Sequence, residues 1–292
     1  MSAQWLPGHR SVLPAETLEL LDPKPGERWI DCTAGLGGHT RLIAERIGST
    51  GSVLALDRDA GMLAIAAERC SGLPVTTSHA NFDDVAAAME RQGWSGVDGM
   101  LADLGFCSNQ MDDPARGFSF KQDGPLDMRL DPAGDVTAAD IVNGWDESDL
   151  ADAIFQFGEE RLSRRIAKRI VERRQRKRFE TTGELADAVR SCVPRSGSID
   201  PATRTFQALR IAVNDELGAL DRLLETLPNV VKPGGRVGII AFHSLEDRRV
   251  KQAFRERDIW VAITKKPVIA GEAEVAANPR ARSAKLRVAR RN

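Results

Sequence analysis

Three aspartates sit at the ends of three apolar segments in the first third of the chain. Asp31 lies at the end of Arg28–Cys32, Asp57 closes Val53–Asp57 and Asp103 closes Gly96–Asp103. After the first comes Asp31-Cys-Thr-Ala-Gly35-Leu-Gly37-Gly38-His39. Glycines at such a junction let the backbone take positive φ and approach a ligand closely. A dinucleotide fingerprint, G-x-G-x-x-G, would need glycine at position 40, where Thr40 stands. An acid followed by G-x-G suits a methyl donor of the S-adenosylmethionine type instead. Asp57, about twenty residues past the glycines, can accept hydrogen bonds from a ribose diol in either cofactor class. The donor carries a cationic sulfonium and no phosphate, which suits acidic surroundings. A plain structural turn with a surface aspartate is the competing reading of the same residues.

Asp103 offers different chemistry. An exocyclic base amine is a poor nucleophile, because its lone pair is delocalised into the ring. A carboxylate that accepts its N–H, close to an electrophilic methyl, favours attack by positioning and electrostatics. Position alone equally allows an aspartate that caps the next turn.

The elements that must hold these residues alternate. Strands are expected at Arg28–Cys32, Val53–Asp57, Pro74–Ser78 and Gly96–Asp103, with helices near Thr40–Ile47, Gly61–Cys70 and Asp83–Gln92. Alternation of this kind implies βαβ units and a parallel sheet. It breaks between Gly105 and Ile199. There Asp112–Asp135 reads as an ordered loop, and Asp146–Phe157, Glu159–Arg178 and Thr182–Cys192 read as helices. A long helical pattern, Thr203–Leu227, leads through a turn at Lys232-Pro-Gly-Gly235 to a strand at Arg236–Phe242. A helix at Ser244–Arg257 and strands at Ile259–Thr264 and Ala284–Arg290 complete the chain. The sheet thus resumes after a helical insert.

The 292 residues carry a net charge of −1, which hides a split. Residues 1–160 hold 11 Lys and Arg against 27 Asp and Glu, whereas residues 161–292 hold 30 against 15. The second half therefore suits a polyanion. The four cysteines form no CxxC pair, which argues against a zinc ribbon or a disulfide framework and leaves no metal site expected. Met1 to Arg10 lacks a hydrophobic signal segment, and no apolar run approaches a membrane span of about 20 residues. A cytoplasmic protein without membrane contact is expected.

Several longer strings narrow the reading. They are Arg116-Gly-Phe-Ser-Phe120, Gly124-Pro-Leu-Asp-Met-Arg129, Pro201-Ala-Thr-Arg-Thr-Phe-Gln-Ala-Leu-Arg-Ile-Ala-Val-Asn-Asp-Glu-Leu217, Phe242-His-Ser-Leu-Glu-Asp-Arg248 and Asn278-Pro-Arg-Ala-Arg-Ser283. With Gly37-Gly-His39 they closely resemble the bacterial RsmH (MraW) family over roughly residues 9–290. The resemblance implies an S-adenosyl-L-methionine-dependent methyltransferase that acts on the N4 amino group of one cytidine in the decoding centre of 16S rRNA, within the small ribosomal subunit. It implies an α/β fold, a Rossmann-like class I methyltransferase sheet over 1–110 and 205–292, interrupted by a mainly helical substrate-recognition domain over 111–204. By position it places cofactor contacts on Gly37, Gly38, His39, Asp57, Phe82, Asp103 and Gln110, to which the motif reading adds Asp31 and Gly35. The chain departs from the family pattern at Leu36, at Phe106, Cys107 and Asn109, and at Asp200, where the family has histidine.

Arg161–Arg178 holds ten basic residues against one acid, Glu172. Leu162, Ile166 and Ile170 give it an apolar stripe, and Arg164, Arg165, Lys168 and Arg169 face outward as candidates for RNA phosphates. Thr203, Gln207, Arg210 and Asn214 fall on one polar stripe, suited either to base edges or to a hydrogen-bonded seam. In Phe242–Arg248, Ser244 reads as a helix N-cap and Asp247 as a first-turn acid; no G-x-S-x-G elbow supports a hydrolase. A DNA-amine methyltransferase is disfavoured because Asp103-Leu-Gly-Phe106 lacks the D/N/S-P-P-Y/F prolines. A ribosome-binding protein with a vestigial cofactor fold is disfavoured by the intact glycines and Asp57.

Overall fold

The computed structural model describes residues 10–195 and 199–292. The stretch 1–9, most of the segment searched for a signal sequence, lies outside them. After α1 (Pro14–Leu21) the chain winds through β1 (Arg28–Asp31), α2 (Gly38–Ile47), β2 (Ser52–Asp57), α3 (Ala60–Arg69), β3 (Val75–His79), α4 (Val85–Arg91) and β4 (Val97–Asp103). Asp31, Asp57 and Asp103 are each the last residue of a strand, as expected. Local signals set the helix starts. Asp59 caps α3, its side chain accepting from Gly61 N and Met62 N.

The insert comprises α5 (Ser108–Asp112), a loop, α6 (Ala138–Gly144), α7 (Glu147–Gly158), α8 (Ser163–Arg174), α9 (Thr182–Arg190) and α10 (Thr203–Asn214). The helix expected from Glu159 starts later, because Glu159 takes a left-handed φ of 50° and ends α7. The single long helix expected over Thr203–Leu227 is two. Asp215 takes a left-handed φ of 47° and donates its N–H to Ile211 O, which ends α10. Aspartate tolerates that conformation better than most residues. The second part is α11 (Glu216–Val230).

The turn expected at Lys232–Gly235 is part of a longer strand, β5 (Val231–Ala241), whose pairing with β4 shifts register there. Then come α12 (Ser244–Ala253), β6 (Trp260–Ala262), α13 (Glu272–Ala277) and β7 (Lys285–Arg291). The unexpected helices α1, α5, α6 and α13 span too few turns to show a clear amphipathic period.

Two compact units result. One joins the chain up to Gly105 with Leu217–Asn292; the other is Phe106–Glu216. The inserted unit includes all of α10, which a boundary at 205 would cut. The reason is burial: Phe206, Ala208 and Leu209 belong to the insert's own core, with Ile154, Ile166, Ile170 and Leu185.

The first unit is a seven-stranded sheet of order β3-β2-β1-β4-β5-β7-β6. β1 to β5 are parallel and β7 runs antiparallel between β5 and β6. Side chains alternate across it. Ile30, Met100 and Ile239 pack on one face with Val85 of α4 and Leu223 of α11. Trp29, Leu101 and Ile240 pack on the other with Leu21 of α1 and Ile43 of α2. The winding reverses between β1 and β4, so the ligand crevice of such a sheet opens at their carboxyl ends. Those ends carry Asp31 and Asp103.

Candidate active site

Asp31 is fully buried. Its Oδ2 accepts from Thr40 Oγ1 at 2.6 Å and its Oδ1 from Thr33 N at 3.1 Å. Burial pushes its pKa up to about 6 against these hydrogen bonds, which lower it. Asp31 therefore braces the glycine loop from behind. In the loop, Gly35 and Gly37 take φ of 52° and 80°. Gly35 N donates to Asp57 Oδ2 at 2.7 Å, and Asp59 N donates to Asp57 Oδ1 at 2.8 Å. Burial holds the Asp57 carboxyl above its ordinary range.

The loop is pressed from both sides. A Cβ on Gly37 would lie 3.1 Å from the Ala66 Cα of α3, and one on Gly38 would strike Ser11 Oγ. Gly37→Ala is thus expected to cost about 1–2 kcal/mol from its left-handed backbone alone, measured by urea unfolding of the free protein. It should also weaken cofactor binding, read by calorimetry.

Asp103 sits on the other side of β1 from Asp57. Its N–H donates to Thr33 Oγ1 at 2.6 Å. Its Oδ2 lies 3.7 Å from His39 Nε2, and its Oδ1 is buried with no hydrogen-bond partner. Burial first, then the charges of Asp31 and Glu246, hold its pKa well above the carboxylate range. His39, at the start of α2, is largely buried. Phe82 follows β3 and is packed among Leu56, Val85 and Leu104. Gln110 belongs to the inserted unit, where its Oε1 accepts from Cys107 N at 3.0 Å.

Thr33 and Thr40 are the residues that motif reading missed. Thr40 entered only as the absence of a glycine. Its hydroxyl, one helical turn past the loop and within reach of the preceding strand's acid, was the available signal. The helix after β5 also differs from expectation. Its N-cap is His243, not Ser244, in a reciprocal box with Glu246. Glu246 Oε2 accepts from Phe242 N at 2.8 Å and from His243 N at 3.2 Å.

The inserted unit explains several of the long strings by its own contacts. Asn214 is buried; its Oδ1 accepts from Leu130 N at 2.7 Å, and its Nδ2 donates to Met128 O and Arg210 O. It staples the Gly124–Arg129 string to α10. Arg210 forms a two-pronged pair with Glu216 at 2.8 and 2.9 Å and lies over the Phe106 ring. Phe106 stacks on Phe118, whose ring the Arg116 guanidinium also approaches. The bulky residue at 106 thus fills a layered stack. Gln207 donates to Phe157 O at 2.9 Å, whereas Thr203 is exposed. On α8, Arg164, Arg165, Lys168 and Arg169 are all exposed, Arg169 reaching Ser191 Oγ at 3.0 Å. Asp200, the departure from histidine, pairs with Arg190 at 2.9 Å.

Comparison with known proteins decides the family. The model of the MraW methylase family matches residues 7–292. The chain belongs to the MraW methylase family. The "Ribosomal RNA small subunit methyltransferase H" of Synechococcus elongatus is 51% identical over 286 residues, covering 97% of this chain and 94% of that one. The protein of the same name from Synechocystis is 50% identical over 289 residues, covering 96% and 92%. That from Sorangium cellulosum is 49% identical over 287 residues, covering 97% and 90%. The MraW methylases are S-adenosylmethionine-dependent methyltransferases, and the sheet described above is their Rossmann-like fold.

The site of this MraW methylase fits that cofactor. A buried carboxylate, Asp31, and two half-buried ones, Asp57 and Asp103, cluster at the ends of β1, β2 and β4, all with raised pKa, and a cationic group compensates their desolvation. Gly37 and Gly38 are taken up by Ala66 and Ser11, whereas a Cβ on Gly35 would meet nothing nearer than Thr33 O at 4.0 Å, which leaves the backbone there open to a ligand.

Proposed function

We propose that this methylase transfers a methyl group to the N4 amino group of a cytidine in the decoding centre of 16S rRNA, within the small ribosomal subunit in the cytoplasm. The observation that carries the amine chemistry is the buried, partnerless Oδ1 of Asp103. It is an acceptor already desolvated and aimed by Thr33. The small-subunit rRNA substrate follows from the relatives' name. Among the described residues no helix is long and apolar enough to cross a membrane.

When bound, S-adenosylmethionine supplies an electrophilic methyl on a cationic sulfur. Asp57 would take the ribose diol, its carboxylate held by Gly35 N and Asp59 N. The Gly35–Gly38 backbone, His39 and the Phe82 edge would line the rest. Asp103 accepts one N–H of the cytosine amine, which returns lone-pair density to nitrogen. It then takes that proton as nitrogen gains its methyl group. A carboxylate with a raised pKa is the stronger base for this step. The target base must leave its stack to reach such a buried group. Exposed Arg164, Arg165, Lys168 and Arg169 neutralise phosphates. Gln207, Arg210 and Asn214 shape the recognition unit through its internal bonds, and Thr203 remains available to RNA.

The test is product identity. Small subunits lacking the modification are incubated with the enzyme and labelled cofactor, and the rRNA is digested for mass spectrometry. N4-methylcytidine is expected. Methyl on cytosine C5, on ribose, or on no nucleoside overturns the reading.

A further inference from the structure

Backbone pairing between β1 and β4 gives way to a side chain as the strands reach the site. Cys32 N donates to Leu101 O at 2.8 Å, and Leu104 N turns the other way, to Ile240 O of β5 at 3.0 Å. The Asp103 N–H, one strand step past Leu101, turns toward β1 and donates to Thr33 Oγ1 at 2.6 Å. Thr33 is in turn tied to the acid that closes β1. Its N–H donates to Asp31 Oδ1 at 3.1 Å. Burial raises the Asp31 pKa, and the Thr33 hydroxyl, bonded to the same carboxylate, is one of the contacts that oppose this. A hydroxyl has one hydrogen and two lone pairs. With the hydrogen committed to Asp31, a lone pair is left for the Asp103 N–H. One hydroxyl thus joins the acid at the end of β1 to the main chain of the acid at the end of β4.

The Asp103 carboxyl is not clamped through its own oxygens. Among the described residues Oδ1 has no hydrogen-bond partner, and Oδ2 stands 3.7 Å from His39 Nε2. Its place is inherited from the backbone that carries it. We infer that Thr33 is a positioning residue for methyl transfer, its hydroxyl fixing the end of β4 and so the distance from the Asp103 carboxylate to the amine. The inference rests on the reading of Asp103 as the amine's acceptor. A misplacement of about 1 Å at reacting groups costs about 10²-fold in rate. The hydroxyl therefore matters to turnover more than to substrate or cofactor affinity.

The test compares Thr33→Val with Thr33→Ser in the full-length protein. Valine keeps the β-branched shape and loses the acceptor; serine keeps the acceptor and loses the methyl group. Single-turnover methylation of unmodified small subunits, run below all thermal midpoints, gives the maximal rate and the half-saturating subunit concentration. Calorimetry gives the S-adenosylmethionine affinity. Thr33→Val should lose about 10²-fold in maximal rate, with half-saturation and cofactor affinity unchanged. Thr33→Ser should recover most of that rate. Amide hydrogen exchange at Asp103 should quicken in Thr33→Val and stay slow in Thr33→Ser. If the valine variant does not fold, Thr33→Ala takes its place with the same expectation. A wild-type rate without the hydroxyl overturns the positioning role and leaves the Asp103 reading intact. Equal rate losses in the valine and serine variants also overturn it, since packing of the side chain would then explain both. So does a loss confined to affinity. Wild-type turnover in Asp103→Asn overturns the Asp103 reading and the inference together.

Discussion

Asp103→Asn lowers the rate of methyl transfer by about 10²–10⁴-fold, the range for loss of a general base, while cofactor binding persists. The substitution is nearly isosteric. The contact that aims this residue uses its backbone N–H, donated to Thr33 Oγ1, so the change leaves it in place. The amide cannot take a proton from the amine. Wild-type activity should rise as pH rises through the elevated Asp103 pKa, since the ionised form is the acceptor. The variant's residual rate should not follow that curve. Folding should not suffer, because a neutral side chain avoids the desolvation that raises the carboxyl's pKa. Single-turnover assays across pH, with calorimetry for cofactor binding, check the set. Wild-type turnover in the variant would remove Asp103 from the chemistry.

Asp31→Asn should change the sign of its stability effect with pH. The folded pKa of about 6 stands above the ordinary 3.8. Between those values the native protein holds a proton that the unfolded chain has released. Stability therefore falls as pH rises through that window, by about 3 kcal/mol at 1.36 per unit, and stays reduced above it. Asparagine carries no charge, so that dependence disappears. It keeps an acceptor for Thr40 but cannot serve both Thr40 and Thr33, a loss of about 1 kcal/mol. The variant should be less stable than wild type near pH 4 and more stable near pH 7. Urea unfolding of the cofactor-free protein at both values reads this directly. Parallel curves for the two proteins would refute the assignment. Asp57 and Asp103 are shifted in the same direction, so the wild type should retain more of its low-pH stability than Asp31 alone explains.

Sequence and structure agree most closely where periodicity is strong and local. The strand ends at Asp31, Asp57 and Asp103 were legible because each apolar run stops at an acid before a glycine turn or a cap. The break between Thr203 and Leu227 was not. The amphipathic stripe continues across Asp215, and only the left-handed backbone there, beside a side chain engaged at Asn214, divides the helix. The polar stripe Gln207–Arg210–Asn214 is evident from its spacing, yet its partners lie off the helix: Glu216 just past its end, and Phe157 and the loop at Met128–Leu130 far away in sequence. Spacing on one helix reveals a face, not what covers it. The same limit hid Thr33, whose hydroxyl meets a backbone N–H on another strand.

The insertion point also has a kinetic side. β4 and β5 are neighbours in the middle of the sheet, with Asp103 opposite Ile240, yet more than a hundred residues separate them along the chain. Closing so long a loop as random coil carries an entropic penalty that grows with its length. A nascent chain avoids most of it by collapsing the insert first, since Phe106–Glu216 has a core of its own. The half-sheet β1–β4 must meanwhile wait with an open central edge. Folding should then be limited by the β4–β5 docking step, and mutations that loosen the insert's core should slow formation of the catalytic unit.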